Sequence, residues 1–267
     1  MLQGGGKLVA IDRDADAISV AKCRIVVDDV IWLNCSFADP VALEAIRRFG
    51  PDLVLFDLGV SSRHFDSDSR GFSFRRDVPL DMRMTASSGP TAAELLNTLD
   101  VETLTRMFRD YADERRSKHL ANTIVRRRST SPLVKSDDLV NAIRAALGPR
   151  TGPADFARLF QAVRIEVNGE IRALEDTLPV VLEALVPDGI VVVISYHSAE
   201  DRVVKNLFRD WARFCVCPTG VPICTCRGQA LGVQIPRKPI CPAPEEVASN
   251  SRARSAKMRV FRKADAS

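Results

Sequence analysis

Residues 53–84 read LVLFDLGVSSRHFDSDSRGFSFRRDVPLDMRM and join an apolar segment to a long polar loop. The segment Leu53 to Phe56 has no polar alternation, which predicts a parallel strand that is buried on both faces. Asp57 stands at the carboxyl end of that strand, the edge at which ligands bind in open α/β sheets. A core does not need the polar loop, so the stretch predicts a functional site at the end of a buried strand.

The segments around this stretch alternate between strands and helices. The predicted elements of this region are strands at 7–12, 30–35 and 52–57 and helices at 16–24 and 40–50. The alternation predicts an α/β fold with a doubly wound, Rossmann-like sheet. Asp12 ends the first of these strands. An acid there commonly binds the ribose of a nucleoside cofactor or caps the next helix, and both interpretations stay open.

After residue 91 the pattern changes, because only helices are predicted up to about residue 167. A block of helices between strands indicates an insertion. The apolar run 188–195 then predicts another buried strand, which would bring Tyr196 and His197 to the same edge as Asp57. A helix is predicted at 198–211, and a last strand at 258–263.

The composition places limits on the class of protein. At 267 residues and 46% hydrophobic residues, the chain can bury a full core. Its apolar runs are shorter than the roughly 18 residues of a membrane helix, and a signal-peptide pattern is missing, so we expect a cytoplasmic location.

The net charge of +4 conceals two basic segments. Lys and Arg outnumber Asp and Glu by eight to three in 106–128 and by nine to two in 227–263. Clustered cations of this kind indicate nucleic-acid binding, with an ordinary solvated surface as the alternative.

Four of the seven cysteines lie close together in the sequence, as Cys215-Val-Cys217 and Cys224-Thr-Cys226. Four thiolates could bind zinc tetrahedrally, although Cys-x-x-Cys is the usual spacing. The alternative is a small apolar cluster of reduced cysteines. The sequence therefore leaves zinc open, and no residue is assigned as a metal ligand.

Several longer motifs occur in a fixed order along the chain. They are DLGVSS at 57–62, RGFSFRRDVPLDMRM at 70–84, TAAELLN at 91–97, RLFQAVRIEVNGE at 158–170, ISYHSAEDRVVK at 194–205 and RARSAKMR at 252–259. Together they resemble the RsmH/MraW family of S-adenosylmethionine-dependent methyltransferases, which modify the N4 amine of a cytosine in bacterial small-subunit (16S) ribosomal RNA. The resemblance implies a class I methyltransferase fold, S-adenosylmethionine as the cofactor, and small-subunit ribosomal RNA or a ribosomal particle as the partner.

The resemblance also implies roles for individual residues. Asp12 would bind the cofactor ribose, Phe37 would lie against the adenine, and Asp57 would stand near the cofactor. His64 takes the place of a Gln that contacts the cofactor, so we expect that contact to be altered. The family's helical insertion, which is thought to help engage RNA, matches 86–169. Residues 1–85 and 170–267 would then form the methyltransferase core.

The sequence departs from the family pattern at its beginning. The family starts with a helix, a first strand and a glycine-rich loop, D-G-T-x-G-x-G-G-H, that wraps the methionine portion of the cofactor. Gly4-Gly5-Gly6 lies too close to Asp12 to be that loop and is expected to form a turn. The first strand and the loop are therefore expected to be missing here.

A catalytically silent RNA-binding remnant is the alternative function, whereas a nicotinamide-dependent oxidoreductase explains neither the RGFSF nor the RARSAK motif.

Methylation of a cytosine amine requires a hydrogen-bond acceptor that orients the amine, because its lone pair is delocalised into the ring. The candidate acceptors are Asp57, Asp81, His197, Ser61, Ser62 and a backbone carbonyl, with Asp57 and Asp81 favoured. Structural alternatives stay open: helix capping for Asp57, an ion pair with Arg83 for Asp81, and a bond to a backbone carbonyl for His197.

Three aromatic residues, Phe72, Phe74 and Tyr196, are candidates to stack on an extruded base, although simple packing would also explain the phenylalanines. The modified cytosine and the oligomeric state, including a homodimer, are left open by the sequence.

Overall fold

The computed structural model describes residues 6–25, 29–59, 77–85, 89–218, 220 and 223–265. The chain divides into two compact units, an α/β unit of Met1–Gly59 with Arg172–Ser267 and a helical unit of Val60–Ile171. All of the described strands belong to the α/β unit. Within the residues that the structure covers, no helix is both long and apolar enough to cross a membrane.

The elements follow the chain in this order: β1 (Leu8–Ile11), α1 (Ala15–Arg24), β2 (Val30–Leu33), α2 (Pro40–Phe49), β3 (Leu53–Asp57), α3 (Ala92–Thr98), α4 (Val101–Ala112), α5 (Ser117–Arg128), α6 (Ser136–Leu147), α7 (Pro153–Asn168), α8 (Glu170–Ala184), β4 (Ile190–Ser195), α9 (Ser198–Trp211), β5 (Gly232–Gln234), α10 (Pro244–Ser249), a 3-10 helix (Ser251–Ser255) and β6 (Lys257–Lys263). The alternation of strands and helices up to β3 matches the predicted α/β pattern.

The described strands of the α/β unit form two sheets. β1 and β2 pair in parallel, and a second sheet has the order β3-β4-β6-β5. In the second sheet β3 and β4 are parallel, with Asp57 opposite Ile194, whereas β6 runs antiparallel to β4. Because β3 and β4 end together, the residues that follow both strands reach the same edge, as predicted for Asp57 and Tyr196.

The core of the α/β unit forms around β4. Val191 and Val193 are buried and alternate with partly exposed residues along that strand. Phe208 of α9 and Phe261 of β6 pack with their ring centroids 5.3 Å apart and belong to the same core cluster. The packing of α9 against the sheet therefore sets the position of its first turn, which follows β4 directly.

The predicted burial of β3 on both faces is wrong. Phe56 is buried, but Leu53 and Leu55 are 59% and 61% exposed. β3 is the end strand of its sheet, and only the face with Val54 and Phe56 packs on the core cluster. A continuous apolar run therefore did not reveal which of its faces the fold would cover.

The helical unit has its own core, to which α3 to α7 contribute residues such as Leu96, Phe108, Ile124, Ile143 and Phe160. The start of α3 has a capping box, in which Thr91 and Glu94 bond to each other's backbone N–H groups. Asn168, the last residue of α7, binds an adjacent loop. Its amide donates to the carbonyl oxygen of Met82 and its Oδ1 accepts from the N–H of Met84, both at 2.8 Å. These bonds fix the DMRM motif of the helical unit.

Candidate functional site

The carboxylate of Asp57 lies at the carboxyl end of β3 and is exposed. Its Oδ1 accepts a hydrogen bond of 2.8 Å from the hydroxyl of Tyr196, which follows β4. Burial, followed by the hydrogen bond to Asp57, raises the pKa of Tyr196 to about 12. The tyrosine therefore remains protonated at neutral pH and donates to Asp57, which holds the carboxylate in one orientation.

Gly59 allows the chain to pass close to the ring of Tyr196. Its φ of +104° lies in the region that favours glycine, and a Cβ at this position would lie 3.3 Å from Cδ2 of Tyr196. Leu58, between Asp57 and Gly59, is buried, and its N–H donates to the carbonyl oxygen of Ile194 at 3.0 Å. The Asp-Leu-Gly motif is thus explained by its contacts with β4 and Tyr196.

His197 caps the first turn of α9. Its Nδ1 accepts from the N–H of Glu200 at 3.3 Å, while Oε2 of Glu200 accepts from the N–H of Tyr196 at 2.9 Å. Nε2 of His197 lies 3.1 Å from Oε1 of Glu200, without the geometry of a hydrogen bond. The His197 side chain is only 7% exposed. These contacts favour a structural role for His197 as the cap of α9, and Glu200 is the residue that binds the Tyr196 backbone.

Asp81 of the helical unit forms a bidentate ion pair with Arg83. Nε and Nη2 of Arg83 donate to Oδ1 and Oδ2 of Asp81, each at 2.8 Å. Both carboxylate oxygens of Asp81 are therefore engaged by a cation. This geometry favours the ion-pair interpretation of Asp81 over its role as an acceptor for a substrate amine.

The two residues implied to hold the cofactor follow β1 and β2 in the α/β unit. Asp12 is exposed at the end of β1, and its Oδ1 accepts from the N–H of Asp14 at 2.8 Å. Phe37 is half-buried and packs edge-to-face on Phe56, with ring centroids 5.4 Å apart. An exposed carboxylate suits ribose hydroxyls and a fixed aromatic ring suits adenine, so these residues fit a nucleoside cofactor.

Other predicted site residues lie outside the described part of the chain. They are His64, Ser61, Ser62, Phe72 and Phe74, together with Gly4 and Gly5 of the predicted turn.

The basic segment 227–263 was predicted to bind nucleic acid, but some of its cations bind groups within the α/β unit. Arg259 is buried, and its Nε donates to Oδ1 of Asp201 at 2.7 Å, while Lys257 binds Oδ2 at 3.1 Å. Nζ of Lys263 donates to the carbonyl oxygens of Glu183 and Leu185. The predicted RNA-binding role is therefore wrong for Arg259, because its charge is neutralised inside the α/β unit.

The sequence also missed the role of Tyr196 as the partner of Asp57, because it placed Tyr196 among the stacking candidates. A usable signal was present, since two parallel strands that end together bring their following residues to one edge. The small residue Gly59 beside this edge was a second signal, because it leaves room for a ring.

Comparison with known proteins agrees with the motifs and the fold. A model of the MraW methylase family matches residues 2–264. Proteins named ribosomal RNA small subunit methyltransferase H from Gemmatimonas aurantiaca, Geobacter sp. and Heliobacterium mobile are 47%, 44% and 41% identical. The alignments cover 98%, 97% and 97% of this chain and 85%, 85% and 86% of the relatives. These matches confirm the predicted α/β methyltransferase and its methyl donor, S-adenosylmethionine. The chain therefore belongs to the MraW methylase family.

Proposed function

We propose that this protein transfers a methyl group from S-adenosylmethionine to the N4 amine of a cytosine in small-subunit ribosomal RNA. The observation that carries the proposal is the exposed carboxylate of Asp57, held by the Tyr196 hydroxyl at the carboxyl end of β3. The substrate class agrees with the name of the relatives, ribosomal RNA small subunit methyltransferase H. A cytoplasmic location remains a prediction, and the oligomeric state remains open.

Two residues of the α/β unit would bind different parts of the cofactor. Asp12 would accept hydrogen bonds from the ribose hydroxyls, and Phe37 would lie against the adenine. Both side chains have the required chemistry, because one is an exposed carboxylate and the other an aromatic ring fixed by Phe56. When bound, S-adenosylmethionine would supply the methyl group from its positively charged sulfur, which would become a neutral thioether.

Asp57 would act on the nucleophile. Its carboxylate would accept a hydrogen bond from an N–H of the cytosine amine, which orients the nitrogen lone pair toward the methyl group. As the N–C bond formed and the C–S bond broke, the amine would become positively charged and would release one proton to the surrounding water. The negative charge of Asp57 stabilises that developing charge. Tyr196 would position the carboxylate through its hydrogen bond without contacting the substrate.

Mapping the methylated nucleoside tests this proposal. The chain would be incubated with labelled S-adenosylmethionine and with either naked 16S RNA or assembled small subunits, followed by mass spectrometry of the nucleosides. We expect N4-methylcytidine in at least one of the two substrates. RNA binding without methyl transfer would favour the alternative function, a catalytically silent RNA-binding remnant. A parallel calorimetric titration with S-adenosylmethionine would report whether the chain binds its cofactor.

The helical unit is proposed to engage the RNA through exposed cations at the end of α5. Arg126 and Arg127 are exposed, whereas Nη1 of Arg128 donates to the carbonyl oxygens of Leu96 and Leu99 at 2.8 and 2.7 Å. The guanidinium of Arg128 thus binds the backbone of the helical unit. We therefore restrict the RNA-binding role predicted for the basic segment 106–128 to its exposed cations, which include Arg126 and Arg127.

We expect the double substitution Arg126→Ala and Arg127→Ala to weaken RNA binding. Two lost phosphate contacts should make the slope of log K against log salt concentration shallower by about 1.5. The measurement is a fluorescence-anisotropy titration of 16S RNA fragments at several salt concentrations.

A matched control removes two other arginines from the last turn of a helix. Arg47 and Arg48 are exposed at the end of α2, so Arg47→Ala with Arg48→Ala changes the net charge by the same amount. Equal effects of the two double variants on the salt slope would show that the α5 pair has no specific role.

A further inference from the structure

The four clustered cysteines lie in the segment between α9 and β5. All four sulfurs lie within 4.8 Å of one another. The sulfur of Cys224 lies 3.6 Å from that of Cys215, 3.9 Å from that of Cys217 and 3.4 Å from that of Cys226, and the Cys226–Cys215 distance is 3.8 Å. The two Cys-x-Cys pairs, separate in the sequence, therefore converge on one point.

These distances match the geometry of a metal centre. Four sulfurs placed tetrahedrally about 2.3 Å from a zinc ion lie about 3.8 Å from one another. Disulfide bonding would require two pairs of sulfurs, each at about 2.05 Å. The observed arrangement has one group of four sulfurs with similar spacings, so it fits a shared ligand better than two disulfides.

The surroundings argue against a small apolar cluster of reduced cysteines. Cys215 and Cys224 are exposed, and Cys217 and Cys226 are only partly buried. Two large apolar side chains of the same segment also face outward, with Phe214 and Ile223 exposed by 68% and 75%. Hydrophobic burial therefore does not explain why the thiols converge.

Backbone contacts around the cysteines favour thiolate ligands. The N–H of Val216 points at the sulfur of Cys226 at 3.3 Å, a contact that stabilises a negatively charged sulfur. Arg227, the residue after Cys226, donates to the carbonyl oxygens of Trp211 and Arg213 at 3.3 and 3.0 Å. The last cysteine is thus anchored to the end of α9.

We propose that Cys215, Cys217, Cys224 and Cys226 bind one structural zinc ion. Four protein ligands complete the tetrahedral shell of zinc, so the site has no open position for catalysis. Its role is to fix the segment between α9 and β5, whose described residues are all exposed or only partly buried. The site is anchored at the end of α9, whereas Tyr196 precedes the start of that helix, and the two proposals can fail separately.

Metal analysis of the intact chain tests the zinc site. The protein would be produced in zinc-supplemented medium with an affinity tag free of histidine, purified without chelators, and analysed by inductively coupled plasma mass spectrometry. We expect about one zinc per chain, and at least about a fivefold fall after Cys215→Ser with Cys224→Ser. A matched control, Cys23→Ser with Cys241→Ser, removes two exposed cysteines outside the cluster and should retain the zinc.

A second measurement keeps the test decisive if the double variant does not fold. Cobalt(II) would be titrated into the wild-type chain after removal of zinc, and the visible absorption bands of tetrahedral sulfur coordination would be recorded. We expect these bands to appear and then to disappear when zinc is added. Zinc well below one per chain, iron in its place, octahedral cobalt spectra, or disulfides among the four cysteines would each overturn the proposal.

Discussion

Replacement of Asp57 by alanine should reduce methyl transfer at least about a hundredfold while leaving the fold intact. The carboxylate is exposed at the end of β3, so its removal should cost the core little. Its loss would remove both the acceptor proposed for the amine and the negative charge near the developing cation. The measurement is kcat with 16S RNA or small subunits, with circular dichroism and thermal unfolding to confirm the fold.

The same strand offers a matched control. Asp52 is exposed at the opposite end of β3, so Asp52→Ala removes an equal charge far from the proposed site. We expect its kcat to remain close to that of the wild type. Unchanged turnover in Asp57→Ala would contradict the role given to Asp57, and equal losses in both variants would indicate a structural effect.

Tyr196→Phe separates positioning from catalysis. Hydrogen bonds to charged groups contribute about 1.5–3 kcal/mol, so we expect kcat to fall by about 10- to 100-fold, less than for Asp57→Ala. The KM values for RNA and cofactor should change little, because the Tyr196 hydroxyl donates its hydrogen bond to Asp57. A rise in KM with an unchanged kcat would instead indicate that the ring of Tyr196 binds the substrate.

Replacement of Arg259 by methionine should lower the free energy of unfolding by roughly 3–5 kcal/mol. The side chains of Arg259 and Asp201 are 8% and 11% exposed, so the substitution leaves a largely buried carboxylate that keeps Lys257 as its cation among the described residues. Chemical denaturation measures the change. Arg262→Met on the same strand is the control, because its 3.7 Å contact with Asp188 is exposed and should contribute at most about 1 kcal/mol.

A double substitution distinguishes an unpaired charge from lost packing. Asp201→Leu combined with Arg259→Met removes both charges, so it should cost less than Arg259→Met alone. If the double variant is as unstable as the sum of the two single variants, the ion pair is not the cause.

The stability of this network should depend on pH in one direction. Burial alone would raise the pKa of Asp201, but hydrogen bonds from Arg259 and Lys257 outweigh it and hold that pKa below the ordinary value of an aspartate. A group whose folded pKa is lowered contributes stability above its unfolded pKa and loses it as the pH falls toward the folded value. The difference in stability between wild type and Arg259→Met should therefore shrink in acid.

The sequence by itself determined most of the helices and strands up to α9, the last strand, the family and the position of Asp57 at a strand end, whereas β5 and α10 were not predicted. These features depend on local patterns, because the hydrophobic period and the motifs can be recognised in residues that are close together in the sequence. The start of α9 after β4, and the sharing of one sheet edge by Asp57 and Tyr196, were predicted for this reason.

Only the tertiary structure decided which of these residues touch. The Tyr196–Asp57 hydrogen bond joins positions 139 residues apart, and the Arg259–Asp201 pair joins positions 58 apart. Such contacts depend on strand register and on which faces are covered, neither of which a local pattern contains. For the same reason the sequence could not separate the buried Arg259 from the exposed Arg126, or foresee the exposed face of β3. The convergence of the four cysteine sulfurs likewise follows from the path of the chain between α9 and β5.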